Sequence, residues 1–343
     1  MLRDKSGRKP TDFRPAKGIK WDKLGGKEMV KVFGGALIKK YREERGITLE
    51  ELSDDICHFT TLHRIEKGDQ SPNIFVFTRL VQRLGFESEK FFIGAFTRTE
   101  IDFFNLYYEA EALIMGGKFD EAIPKIDTLE KAGFDLGKVG GDKIREQMIL
   151  VLKFNISQGN NEDPISRIVA IQNALRLTIS NFNEEKISNY MLSYDEIALL
   201  NMLATAHGDA GNPDKEIDVL QQAKKSIDKY YLDKYEKSRV YTLTLFNLSS
   251  ALGYAERHSD ALEICDIAIK YCVEHKRLYL LPHLKFNKAC ALFYSGDKSK
   301  YRQLATDAIH TLINNEDFKD ATERIKIAEE KLGLNFKHYG IDE

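Results

Sequence analysis

The chain has 343 residues, 43% of them apolar and 30% charged, and its 51 Lys and Arg nearly balance 53 Asp and Glu for a formal charge of −2. That length holds two domains or one long repeat array, and the composition excludes a disulfide-held miniprotein, a disordered polymer and a membrane-embedded chain. Seven prolines, about 2% where ~5% is usual, leave the chain free to be mostly helical, and a net charge near zero means that any nucleic-acid face must be local.

Residues 1–28 carry nine Lys and Arg against four Asp and Glu and have no apolar periodicity. They are expected to be a disordered basic segment. A basic arm along DNA and a plain tail are two accounts of it. A third is that Gly25-Gly26-Lys27-Glu28-Met29 is encodable as a ribosome-binding sequence followed by a start codon. On that account the natural protein begins at Met29 and residues 1–28 are a translated leader. No apolar run reaches the ~18–20 residues of a membrane span, and no apolar stretch follows the basic N-terminus as in a secretory signal. Cys57, Cys265, Cys272 and Cys290 form no C-x-x-C pair and read as reduced thiols of a cytoplasmic protein. Neither Cys272 with His275 nor His58 with His63 has the further ligands that a metal site needs, so no metal and no cofactor is expected.

Residues 29–86 predict a small helical domain, and the stretch 29–97 has no net charge, with ten Lys and Arg against ten Asp and Glu. Phe33, Leu37, Ile38 and Tyr41 share one face of a helix over Phe33–Arg45, stopped by Gly46. Thr48 with Glu51 three residues on is a capping box for a second helix, whose buried stripe is Leu49, Leu52 and Ile56. After a break at Cys57-His58-Phe59, a third helix over Thr60–Lys67 turns Leu62 and Ile65 inward and ends at Gly68. Pro72 precedes a fourth, with Phe75, Phe77, Leu80, Val81 and Leu84 in the core. Two short helices joined by a tight turn fit helix-turn-helix geometry.

The order Leu37-Ile38-Lys39-Lys40-Tyr41-Arg42, Arg45-Gly46-Ile47-Thr48-Leu49-Glu50-Glu51-Leu52, Arg64-Ile65-Glu66-Lys67-Gly68, Ser71-Pro72 resembles the phage-repressor (XRE) type of helix-turn-helix. The resemblance implies that Thr60–Lys67 is a recognition helix for the major groove of double-stranded DNA. Phe59, Thr60 and Arg64 then fall where bases are read, with His63 beside them. Arg64 can grip guanine with two hydrogen bonds, Thr60 can bond an edge or pack on a thymine methyl, and Phe59 offers apolar contact alone. Lys67 and the amide at Thr48 are placed for phosphates. Arg42 and Glu66 match a pair that locks the first helix to the recognition helix. Such modules read two half-sites as dimers, so a homodimer on a promoter is implied.

A linker helix is expected at 87–101, then a repeat domain over 102–343 with a C-terminal capping helix. Polar breaks at Gly116-Gly117, Gly159–Asp163, Gly211–Pro213, Arg257–Ser259 and Gly296-Asp297 divide apolar helical segments into pairs. Ala110, Leu113, Gly117, Phe119 and Ala122 follow tetratricopeptide spacing. Ser249, Leu252, His258 and Ala261 keep the same frame, with Glu256 in place of the turn glycine. Ala289, Leu292, Gly296 and Tyr301 keep it in part, with Lys298 at the aromatic position, while the pairs near 144–180 and 190–230 are looser. The fold class is therefore all-α: a helix-turn-helix domain followed by a right-handed tetratricopeptide-like α-solenoid.

A helix-turn-helix followed by long, degenerate repeats resembles the RRNPP family of peptide-sensing regulators, and the resemblance implies that the concave groove binds a short signalling peptide. In the repeat frame Asn247 and Asn287 face that groove, and Asn201 falls within one position of it. An asparagine amide donates and accepts, so a row of them can hold the backbone of an extended peptide. Phe246, Ser250 and Tyr254 beside Asn247, and His283, Phe286 and Tyr294 beside Asn287, would select among peptides. Cys265 and Cys272 lie on an inward stripe and belong to the core. No phosphate-binding loop, nucleotide-binding sheet or catalytic constellation can be argued from spacing, so an enzyme is not expected. The function expected is a cytoplasmic, quorum-sensing type of transcription regulator in which the peptide alters dimer geometry. The alternative is a repeat scaffold that inhibits a partner such as a response regulator, with the helix-turn-helix as an interaction module.

Overall fold

A computed structural model of the chain describes residues 26–86, 98–132, 141–157, 163–231, 234–297 and 300–336. Among the described residues the regular structure is fifteen α-helices and one 3-10 helix. The head consists of α1 (Gly26–Glu44), α2 (Leu49–Ser53), α3 (Phe59–Glu66) and α4 (Ile74–Arg83). Its boundaries follow local chemistry. At α2, Thr48 Oγ1 accepts the Glu51 amide and Glu51 Oε2 accepts the Thr48 amide, which closes the capping box. At α4, Asn73 Oδ1 accepts the Val76 amide at 2.9 Å.

Two boundaries differ from the sequence expectation. The first helix starts at Gly26 rather than Phe33, and the recognition helix starts at Phe59 rather than Thr60, because His58 accepts the Thr60 amide through Nδ1 and so acts as the N-cap. Residues 98–101, expected to end a linker helix, form the first turn of α5 (Arg98–Met115). The expectations for residues 1–25, 87–97 and 337–343 fall outside the described residues.

Helix pairs follow. α5 pairs with α6 (Phe119–Lys131) and α9 (Tyr194–Asp209) with α10 (Pro213–Tyr230), while α8 (Pro164–Arg176), which follows α7 (Asp142–Ser157), packs chiefly on α9. α11 (Lys234–Tyr254) pairs with α12 (His258–His275) and α13 (Leu281–Tyr294) with α14 (Tyr301–Asn314), and α15 (Phe318–Leu332) caps the array. The 3-10 helix Glu184–Asn189 joins α8 to α9. First helices of successive pairs stack on one another, α5 on α7, α7 on α9, α9 on α11, α11 on α13 and α13 on α15, which is the packing of a helical solenoid. The turns use the expected residues: Gly117 has φ of 70°, and Glu256, which stands where the repeat frame wants glycine, adopts φ of 60°. That left-handed conformation is strained for a side-chain-bearing residue.

The core does not stop where the head ends. Ile38, Leu52, Leu62, Ile65, Phe75 and Leu80 of the head share one buried cluster with Phe103, Phe104, Tyr107, Ile126, Met148 and Leu152 of the first repeats. Phe75 meets Phe103 edge-on with ring centroids 5.1 Å apart.

Candidate nucleic-acid interface and groove

Helix α3 and its C-cap present Phe59, Thr60, His63, Arg64 and Lys67 to solvent on one side, and α3 buries Leu62, Ile65 and Glu66 on the other. Phe59 is 40% exposed, a large apolar ring left uncovered at the start of the helix. The orientation of α3 is fixed by two features of α1. Arg42 grips Glu66 with both ends of its fork, Nε to Oε1 at 2.6 Å and an Nη to Oε2 at 2.8 Å, and gives its remaining Nη to Ile47 O at 3.0 Å. The hydrogen bond that Arg42 donates to Glu66 raises the Arg42 pKa despite partial burial. Gly35 lies so close to α3 that a Cβ there would stand 1.9 Å from the Ile65 carbonyl oxygen. The sequence placed Arg42 and Glu66 together but gave no role to Gly35.

Two groups are engaged differently from the sequence expectation. The amide of Thr48 is occupied by Glu51 Oε2 at 2.7 Å, so it does not point at a phosphate. The Thr60 hydroxyl lies 2.7 Å from His58 Nδ1, which leaves an oxygen lone pair rather than the proton for a base edge whenever that nitrogen is the acceptor.

In the repeats the asparagines fall on successive first helices, α9, α11 and α13. Asn247 donates to Asn201 Oδ1 at 2.8 Å, and Asn201 donates to Ile197 O at 2.8 Å and Thr244 Oγ1 at 3.2 Å. Asn201 is 4% exposed with its amide fully engaged, so it positions Asn247 instead of facing a ligand. Asn287, half-buried, donates to Ser249 Oγ at 3.0 Å and Ser250 Oγ at 2.9 Å. A cavity of about 410 Å³ opens beside it, within the size range of ligand sites. Ser250, Tyr254, Phe286, Asn287 and Tyr294 all line that cavity. Asn201, Asn247, Phe246 and His283 do not.

Tyr254 and Tyr294 are exposed, Phe286 forms buried floor, and His258 stacks on Tyr294 with centroids 5.1 Å apart and planes at 17°. His283, expected to select ligand, is buried with Nε2 3.5 Å from Asp320 Oδ2, and burial lowers its pKa. His283, Asp317 and Asp320 bring potential metal-ligand atoms within 4.8 Å of one another. Among the residues of the cavity wall that sequence reasoning missed are His258 from α12 and Arg324 and Lys331 from α15. The available signal was the spacing of the two cations, seven residues or two helical turns apart on the capping helix. Cys265 and Cys272 are buried, and burial pushes their thiols up to about 12 and about 11, which fits core cysteines rather than nucleophiles.

Head and repeats are joined by a buried polar network that the sequence did not announce. Arg79 of α4 is fully buried and donates to Gln147 Oε1 at 2.8 Å, to Asp195 Oδ2 at 3.5 Å and to Ser193 Oγ, with Glu196 Oε1 3.2 Å away. Arg83, one turn along, donates to Thr178 O at 3.1 Å and to Asp54 O. Thr178 Oγ1 accepts from Gln147 at 2.7 Å and donates to Glu196 Oε1 at 2.6 Å. Burial opposes the charge of Glu196, but Arg79 and Arg83 outweigh it and hold this carboxyl below its ordinary value. At Asp195 burial prevails over Arg79 and the carboxyl is raised. A second tie runs from Ser180, whose amide and hydroxyl donate to Asp55 Oδ2 at 2.7 and 3.0 Å.

Residues 38–91 match the family described as Helix-turn-helix. In fold the chain is similar to Bacillus thuringiensis PlcR in complex with the peptide PapR7 and DNA, with 17% identity, a TM-score of 0.57, and 85% of this chain and 98% of that one covered. It is likewise similar to Bacillus thuringiensis PlcR in its apo form, with 16% identity, a TM-score of 0.53 and the same shares covered. No curated protein matches the chain significantly in sequence. The chain is thus an all-α protein with an N-terminal helix-turn-helix domain carried on a helical repeat domain, arranged as in these structures. Among the described residues no helix is long and apolar enough to cross a membrane.

Proposed function

We propose that the chain is a cytoplasmic transcription regulator that binds double-stranded DNA as a homodimer and whose repeat groove takes up a short signalling peptide. In this reading residues 29–86 are the DNA-reading head and residues 102–343 the sensor. The observation that carries it is the exposed row Phe59, Thr60, His63, Arg64 and Lys67, held on a helix braced by Arg42 and Glu66, in a head clamped to a grooved solenoid. Arg64 takes guanine, Phe59 packs on a base methyl, Thr60 and His63 contact neighbouring edges, and Lys67 neutralises phosphate. Asn287 and Asn247 hold peptide backbone, Tyr254, Tyr294, Phe286 and Ser250 contact its side chains, and Asn201 and His283 act from behind. The similar PlcR structure, which contains a peptide and DNA, supports assigning both partners to this fold.

Peptide shifts promoter affinity only by its preference for one placement of the two heads over another. The test is selection of duplexes from a random pool by the full chain, followed by titration of the selected site. Arg64→Ala should lose ~1–3 kcal/mol on that site and relax its sequence preference. An unchanged affinity, or failure of the intact chain to select any duplex, would sink the DNA reading.

A further inference from the structure

The cavity beside Asn287 has a chemically uneven wall. On one side stand Ser249, Ser250 and Asn287, already linked to one another, and on the other stands α15 with Arg324. The Arg324 side chain is only 14% exposed, its Nε is buried with no hydrogen-bond partner among the described residues, and its guanidinium lies 5.6 Å from the Phe286 ring centroid. Among the described residues its one ion pair is with Glu323, its chain neighbour, at 3.3 Å, and Glu323 is 58% exposed. A solvated neighbour of that kind contributes little, whereas a largely buried guanidinium is costly until an anion meets its fork. Lys331, two turns along α15, borders the same space. Cys290, Arg324 and Lys331 line the same cavity, and burial raises the Cys290 thiol to about 11 while the two cations oppose that rise. The acidic side chains on the wall, Glu256 and Glu323, are both exposed.

We infer that Arg324, seconded by Lys331, is the carboxylate anchor of this groove, so that the ligand is a peptide presenting a carboxylate to the α15 end of the array. The guanidinium fork matches a carboxylate in two hydrogen bonds, and the Phe286 face behind it fixes the plane of the fork. A carboxylate is supplied either by the free C-terminus of the peptide or by an Asp or Glu side chain. A C-terminal carboxylate would also set direction, the chain running from the Asn247 level toward α15 and stopping there. This inference rests on the peptide reading of the groove and adds to it the chemistry of one end of the ligand.

The probe is a pool of random heptapeptides in three forms: free acid, C-terminal amide, and free acid without Asp or Glu. Each is incubated with the intact chain, and retained peptides are identified by mass spectrometry after rapid desalting. Retention of both acid pools about tenfold or more over the amide pool, lost in Arg324→Gln and partly restored in Arg324→Lys, is the expected result and identifies the C-terminus as the source. Retention confined to Asp- or Glu-containing peptides, amidated or not, with the same arginine dependence, supports the anchor with the side chain as source. Equal retention of acids and amides that Asn287→Ala abolishes and Arg324→Gln does not would overturn the anchor and leave the peptide reading standing. No retention of any pool by the wild-type chain would overturn both. Helicity and melting of Arg324→Gln and Arg324→Lys are compared with wild type, so that a loss of fold is not taken for a loss of anchor.

Discussion

Replacing Arg79 with Met tests whether head and repeats form one energetic unit. Arg79 is 0% exposed and sits among Gln147, Ser193, Asp195 and Glu196. Methionine fills most of the volume without the charge, so the loss is electrostatic rather than a cavity. Among the described residues Glu196 would keep only Arg83, at 4.0 Å, as its ionic partner. Removing one member of a buried pair costs about 3–5 kcal/mol, because the other is left charged and dry. Glu196→Gln should cost a comparable amount, and the double variant should cost less than the sum by about 1–3 kcal/mol, the signature of groups in one network. Because Glu196 is held below its ordinary value, this stabilisation is fully present above about pH 4.3 and drains away as pH falls through the folded-state pKa. Urea unfolding at pH 7 measures the cycle, and amide exchange locates it: α4 and α9 should lose protection together, ahead of α13 to α15. A cost of Arg79→Met below about 1 kcal/mol, or single costs that simply add to within ~0.5 kcal/mol, would refute the argument.

Gly35→Ala should destabilise the head by about 1–3 kcal/mol or displace α1 from α3, since the added Cβ meets a backbone carbonyl that cannot swing away. Melting followed at the head, with loss of selected-duplex binding, checks it. A variant that binds and melts like wild type counts against the close approach. Glu216 is half-buried against Gly208, and burial, reinforced by Asp209, raises its carboxyl to about 7. A raised carboxyl gives stability below its unfolded value of ~4.3 that is lost as pH rises through 7. Glu216→Gln should therefore equal wild type near pH 4 and exceed it at pH 8 by about 1 kcal/mol after allowance for solvent screening. Urea midpoints at the two pH values decide it, and a gap that does not change with pH contradicts the assignment.

The helices of this chain were legible because their signals are local. The Thr48 and Glu51 capping box, the glycine stops and the apolar stripes at helical spacing each lie within one or two turns of sequence. So do the polar breaks at Gly116-Gly117, Gly211–Pro213 and Gly296-Asp297, each of which falls between the two helices of an observed pair. The Arg42 and Glu66 pair was legible only through resemblance, since the two stand 24 residues apart. What a periodic frame cannot give is which partner a side chain finds across the solenoid. Asn201 sits near the groove-facing register of its helix, yet the neighbouring helix brings Thr244 and Asn247 against it and takes up its amide.

The sequence by itself determined an all-helical chain, its punctuation, and an exposed row on the second helix of a helix-turn-helix, because these follow from propensity, capping and amphipathic period. Tertiary structure alone decided that the head and the first repeats share one core, that Arg79 and Arg83 clasp Glu196 across more than a hundred residues of chain, and that Arg324 turns into the cavity beside Asn287. Arginines on a helix look alike in one dimension. Whether one is solvated, locked to a carboxylate or left waiting for an anion depends on what the packing of other helices removes from water.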